Sequence, residues 1–341
     1  MFKPSMPEPG IAEKIAFLSK PEAYAGRVTC VETKETHMSC VFLANEHVWK
    51  LKKPARYDYL DFSTVEARKR DCELEVELNR RLAPGVYLDI VPLVIDAHDR
   101  MRLGGEGRIV DWLVMMRRLP GHRMLDVAIA ERTLGSEDVR KIGLLLAKFY
   151  QHAQRVPLSP LEYRSRLEAE IAECARELRK PQYALPPELI ESILAGQIRV
   201  LKQDALMFDE RARQGKIVDA HGDLRPEHIC TGPEPVVIDC LEFNADFRIL
   251  DPASELAFFA LECERLGAPW VGKLVLDTYQ GETGDVPPER LLVHYKKHHA
   301  CVRAKIAVWH LRDPGVHDSA KWIDKAKDYL QRAQSLQQLD D

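Results

Sequence analysis

The spacing of apolar residues changes character near Leu119-Pro120-Gly121, and this change constrains the fold more than any other feature of the 341-residue chain. Up to about residue 118 the chain reads as strands, whose side chains alternate with a period of two. Beyond it, apolar residues recur at three- and four-residue spacing over long stretches, the mark of amphipathic helices. The Pro-Gly pair is a strong chain breaker between the two regimes. Two lobes are expected, residues 1–118 and 119–341, and 45% hydrophobic content is enough to give each a core.

In the first lobe, Ser39-Cys40-Val41-Phe42-Leu43, a turn over Ala44-Asn45-Glu46-His47, and Val48-Trp49-Lys50-Leu51-Lys52 read as a hairpin. Val48, Lys50 and Lys52 share one face of it, so both lysines are candidates for an inward position. A helix is expected over Ser63–Leu82, with Ser63 as N-cap and Cys72, Glu75, Asn79 and Leu82 on one stripe, which favours Glu75 over Glu73 and Glu77 as the inward carboxylate. Ile109–Met116 reads as a buried strand. In the second lobe, helices are expected from about Ser136, along Leu167–Leu178, along Ile190–Leu201, from Asp251-Pro252 to Gly267, and over Arg290–Arg312 and Ser319–Gln337. Gly281–Pro288 has the composition of a surface loop.

A formal net charge of -4 gives no electrostatic footprint for nucleic acid or for an anionic membrane. The eight cysteines contain no Cys-x-x-Cys pair and read as reduced core residues. No stretch approaches 18 uninterrupted apolar residues and no basic, apolar leader opens the chain, so a cytoplasmic location is expected, with the oligomeric state open.

The chemistry concentrates in His221-Gly222-Asp223-Leu224-Arg225-Pro226-Glu227-His228 and, one short hairpin later, Val236-Val237-Ile238-Asp239. Pairing of the strands on either side of Gly232-Pro233-Glu234-Pro235 would set His228 opposite Asp239 and aim Asp239 at Asp223. One carboxylate before a strand and a second at the end of the returning strand suit phosphoryl transfer, in which one Asp deprotonates a hydroxyl and the other holds Mg²⁺ against the phosphates.

Taken together these residues resemble the aminoglycoside phosphotransferase-like kinases, and within them a bacterial branch, over most of the chain. His221-Gly222-Asp223 is similar to the catalytic loop, Ile238-Asp239 to the metal-binding aspartate, and Asp251-Pro252-Ala253-Ser254-Glu255-Leu256-Ala257 to a family helix start. The resemblance implies an α+β, two-lobed protein kinase-like fold with a small antiparallel-sheet N-lobe and a larger helical C-lobe. It implies ATP with Mg²⁺ or Mn²⁺, and a small-molecule acceptor phosphorylated on a hydroxyl. Asp223 would be the base and Arg225 would offset developing charge. Lys50, or else Lys52 or Lys53, would grip the phosphates beside Glu75, with cover from the Thr36–Ser39 turn, Ser39 included. Met115 and Met116 would lead into the adenine hinge, and His228 with Asp239 would hold the metal.

The chain departs from the family pattern at three places: His228 stands where Asn is usual, the first hairpin lacks glycine, and Glu255 replaces Asp. Two other readings remain open on these residues. His221, Asp223, His228 and Asp239 have the ligand chemistry of a metal-dependent phosphohydrolase. The histidine and the glycine-free loop also suit a nucleotide-binding pseudokinase. His298, His299, Arg303 and Lys305 on a late helix, and Glu242, Asp246 and Glu262, are further candidates for acceptor contact.

Overall fold

The structure is a computed structural model that describes residues 8–57, 60–312 and 319–337. It divides into two compact units: the chain up to Arg123 together with Val236–Ala245, and Met124–Pro235 together with the chain from Asp246 onward. A ten-residue return, Val236–Ala245, belongs to the first unit.

The first unit is built on a six-stranded antiparallel sheet. Its strands are β1 (Val31–Glu35), β2 (Ser39–Ala44), β3 (His47–Lys52), β6 (Tyr87–Ile95), β7 (Met101–Leu103) and β8 (Arg108–Arg117), in the order β1-β2-β3-β8-β6-β7. A separate two-residue ribbon joins β4 (Arg56–Tyr57) to β5 (Leu60–Asp61). The β2–β3 hairpin forms as expected, but the turn is only Asn45-Glu46, because Asn45 adopts a left-handed φ of 52° that asparagine tolerates and both strands gain a residue. Helix α1 (Ile11–Leu18), which the sequence reading missed, covers one sheet face and brings Leu18 against Cys40, Phe42, Leu51, Leu93 and Leu113.

Helix α2 (Val65–Asn79) covers the other face and packs Cys72 and Val76 on Tyr87, Val114 and Met116. Its N-cap is Thr64, whose hydroxyl accepts the Ala67 N–H at 3.1 Å; Ser63, expected there, instead donates to Asp61. The return segment is stitched to this unit by backbone hydrogen bonds. Val237 N–H donates to the Leu82 carbonyl at 3.3 Å and Cys240 N–H to Asn79 Oδ1 at 2.9 Å.

The second unit is helical: α3 (Leu125–Ala130), α4 (Ser136–His152), α5 (Pro160–Leu178), α6 (Pro187–Gln203), α7 (Ala205–Arg213), α8 (Pro252–Arg265), α9 (Pro269–Thr283), α10 (Glu289–Trp309) and α11 (Ser319–Gln337). Its main core joins the apolar stripes of α5, α6, α10 and α11, including Ile171, Cys174, Ile193, Tyr295 and Leu330. Helix α9 runs three residues into the stretch expected to be loop, ending where Gly284 turns left-handed at φ 69°. Helix α8 was expected to bury one stripe. Every residue from Pro252 to Cys263 is buried, so it is the central helix of the unit. A short ribbon of β9 (Val218–Asp219) against β10 (Ile249–Leu250) flanks the loop that carries Asp223. All eight cysteines are free and only Cys30 is exposed. Among the described residues no helix is long and apolar enough to cross a membrane.

Candidate active site

In the first unit the alternation of β3 decides which groups meet. Trp49 and Leu51 pack on the α1 face, so Lys50 and Lys52 project toward α2, where Glu75 is fully buried. The two lysines share that one carboxylate: Lys50 Nζ donates to Oε1 at 2.8 Å and Lys52 Nζ to Oε2 at 2.7 Å. Beyond it their partners differ. Lys50, nearer the surface, also reaches Asp239 Oδ1 at 3.1 Å. Lys52 is sealed at 1% exposure, with Asp71 at 2.5 Å and Glu242 as its other partners. Glu73 and Glu77 lie on the exposed side of the helix, Glu73 bonded to Lys69.

Burial works against the charge on Lys50, but Asp239 and Glu75 outweigh it and hold its pKa well above the ordinary lysine value. Glu75 has its pKa lowered in turn: burial opposes the shift and the two ammonium groups win. Glu242 goes the other way. Burial, with Glu75 and Asp71 nearby, pushes it up to about 7 against the pull of Lys52. Asp239 itself sits at a left-handed φ of 64°, a conformation Asp enters more readily than most side chains. The Tyr87 hydroxyl, which accepts the Asp239 N–H at 3.1 Å, and Asn79, which takes the next N–H, hold it there. Met116 lies in the same layer as Val48, Leu119 and Ile238, an apolar bed next to these charges.

In the second unit the loop from His221 to His228 is clamped by α8. Glu255 accepts the Gly222 N–H at 2.5 Å, the His221 N–H at 3.1 Å and the Tyr150 hydroxyl at 2.7 Å. Asp251, N-cap of α8, is fully buried and forms a fork with Arg211 at 2.7 Å. Asp223 is therefore presented from a loop whose backbone is fixed. Its Oδ2 receives Arg225 at 2.9 Å, and Arg225 also donates to Glu227 at 2.6 Å. His228 Nδ1 donates to the Asp223 carbonyl at 2.9 Å, which leaves Nε2 to accept from Arg225 at 2.9 Å.

Residues 60–291 match the phosphotransferase enzyme family, APH. The chain belongs to that family. It is 32% identical over 285 residues to uncharacterized proteins of Mycobacterium bovis and Mycobacterium tuberculosis, a match covering 81% of this chain and 54% of theirs. The chain thus spans about half the length of the curated relatives it matches. Among solved structures it is similar to a choline/ethanolamine kinase family protein from Mesorhizobium loti, at 17% identity and a TM-score of 0.55, covering 95% of this chain and 94% of that one. It is similar also to a thermostable mutant of aminoglycoside phosphotransferase APH(4)-Ia in ternary complex with AMP-PNP and hygromycin B, at 13% identity and 0.50, covering 93% and 97%. These likenesses show the protein kinase-like fold, the one expected from the motifs.

Within this phosphotransferase family member, the expected residues fall into two groups. Lys50, Lys52, Glu75 and Asp239 come together in the first unit, and Asp223, Arg225 and His228 in the second. Met115 and Met116 lie on β8 opposite Trp49 and Val48. Ser39 is buried, its hydroxyl pairs with Thr36 Oγ1 at 2.9 Å, and its N–H donates to the same oxygen at 3.0 Å. Lys52, Asp71 and Glu242 form a buried ion cluster that sequence reading missed except as an alternative to Lys50. Its one signal was the Lys-x-Lys alternation itself.

The first-unit cluster has four carboxylates, Asp71, Glu75, Asp239 and Glu242, for two ammonium groups, Lys50 and Lys52. Among the described residues no group of three or more His, Cys, Asp or Glu side chains is arranged to hold a metal ion, so a cation would take fewer protein ligands. Asp239 is the donor suited to Mg²⁺: a hard oxygen ligand, half exposed, of the kind that holds this ion through one or two carboxylates plus substrate phosphates.

Proposed function

We propose that this chain transfers the γ-phosphoryl group of ATP to a hydroxyl of a small molecule. The observation that carries the reading is the Lys50 ammonium held between Glu75 and Asp239, the ion-pair geometry that kinases use to grip nucleotide phosphates. In this reading the first unit holds the nucleotide, with Lys50 on the phosphates, Met115 and Met116 beside the base, and Asp239 as the Mg²⁺ ligand. Mg²⁺, when bound, neutralises charge on the phosphate oxygens.

The second unit supplies the base. Asp223 takes the proton of the acceptor hydroxyl, the new bond forms between that oxygen and the γ-phosphorus, and the bond from phosphorus to the bridging oxygen breaks to release ADP. Arg225, bonded to Asp223 Oδ2, keeps the carboxylate in one orientation and carries positive charge beside the transferred group. His228 has both ring nitrogens in hydrogen bonds to Asp223 and Arg225, which supports a role in positioning Arg225 over one as metal ligand, and with it the kinase reading over the phosphohydrolase.

The test is Asp223→Asn, which keeps the shape and removes the base. Turnover should fall at least ~100-fold while ATP affinity stays within about twofold, as expected for loss of general-base catalysis. Near-normal turnover in a nucleotide phosphorylation assay refutes the assignment.

A further inference from the structure

The charge around Asp223 speaks to the acceptor. Helix α8 packs against the turn Pro226–His228 that follows Asp223, and α10 packs on both α8 and α11. On these three helices lie Glu262, Arg265, Arg303, Lys325 and Tyr329. Glu262 is fully buried and already matched: Tyr329 donates to it at 2.7 Å, Arg265 sits at 3.0 Å and Arg303 at 3.9 Å. Arg303 lies over the Phe258 and Tyr329 rings, and its buried Nε has no hydrogen-bond partner. Burial opposes its charge, and Asp223 is the carboxylate that does most to sustain it.

Lys325 has no ion-pair partner among the described residues; its ammonium rests 5.4 Å from the Trp322 ring. Burial and then Arg303, Arg265 and Arg225 lower its pKa, the response of an ammonium in a field that is already positive. Four cations, Arg225, Arg265, Arg303 and Lys325, thus stand with three carboxylates, Asp223, Glu227 and Glu262, all three of which are paired.

A cationic acceptor would need carboxylates to receive it, and the candidates are committed. Glu262 is bound as above, Glu242 belongs to Lys52, and Asp246 pairs with Arg166 at 3.4 Å. Resting on the phosphotransferase reading, we infer that the acceptor is an anion: a hydroxyl compound whose carboxylate or phosphate is received by Arg265, Arg303 and Lys325 while its hydroxyl faces Asp223. Lys325, without an ion-pair partner among the described residues, is a counter-charge suited to an anionic ligand.

The experiment follows transfer of label from [γ-³²P]ATP to four probes: D-glycerate, glycerol 3-phosphate, kanamycin and choline, with nucleotide binding measured separately by calorimetry. Label should reach at least one of the two anions and neither cation, the carboxylate and phosphate arms telling which group is received. Lys325→Glu and Arg265→Gln should each raise the KM for that anion about tenfold, the effect of one lost charge-assisted contact. Labelling of kanamycin or choline, labelling of no probe by a protein that binds ATP, or an unchanged KM in both variants overturns the inference. Failure to bind nucleotide at all refutes the phosphotransferase reading instead.

Discussion

Two charged clusters divide the polar chemistry of this chain, and their balances are opposite. In the first unit, two ammonium groups lie among four carboxylates, and Lys52 and Glu75 are fully buried. In the second, four cations lie with three carboxylates, and Lys325 and Arg265 remain partly open to solvent. A sealed cluster is committed to its own partners, because an uncompensated charge there is costly. A half-open one keeps charge for something that arrives. The first cluster contains both situations two residues apart: Lys52 is sealed among its carboxylates, and Lys50, which meets the half-exposed Asp239, is the lysine proposed to grip the nucleotide.

The largest effect should come from Lys52→Ala. It strands Asp71, Glu75 and Glu242 with one lysine between them, and removal of one partner from a buried ion pair costs ~3–5 kcal/mol. Denaturant unfolding should show that loss; a variant within ~1 kcal/mol of the parent would mean that the cluster is not sealed as described. Lys50→Ala should act on nucleotide instead. Losing one charge-assisted contact weakens ATP binding by ~1.5–3 kcal/mol, with a smaller stability change than in Lys52→Ala. If calorimetry finds Lys52→Ala the weaker nucleotide binder at a temperature where both are folded, the division of roles between the two lysines is reversed.

The smallest effect concerns pH. Glu242 has a pKa of about 7 in the folded chain, above the ordinary glutamate value of 4.5. The folded state therefore holds a proton that the unfolded chain releases, and the stability this contributes is complete below about 4.5 and lost as pH rises through about 7. Glu242→Gln should remove that slope, so the parent should lose stability relative to the variant between pH 5 and pH 8. Parallel stability curves would show that Glu242 is ionised throughout.

Some of this was legible in the order of residues. The β2–β3 hairpin, the inward face of Lys50 and Lys52, and the choice of Glu75 over its neighbours all follow from local periods of two and 3.6, which need no long-range information. The Asp251-Pro252 start of α8 was readable for the same reason. Other features were not. Helix α1 is eight residues long and its packing on Leu93 and Leu113 depends on strands far along the chain. Nothing local reveals that the Ser39 N–H is bonded to Thr36 Oγ1. Glu242, Asp246 and Glu262 all read as acidic residues near the catalytic motif, and only their partners Lys52, Arg166 and Tyr329 show that each is already engaged.

By itself the sequence carried the change from a period of two to a period of 3.6 and the short motifs whose resemblance implied the family, because these lie within a few turns of chain. Tertiary structure decided which charges are spent. Whether a lysine is a strut or a ligand depends on carboxylates contributed from other elements, such as Asp71 and Glu242 around Lys52, and on the water excluded between them. Coulomb energy and desolvation both depend on distance and burial, and neither is a property of sequence separation.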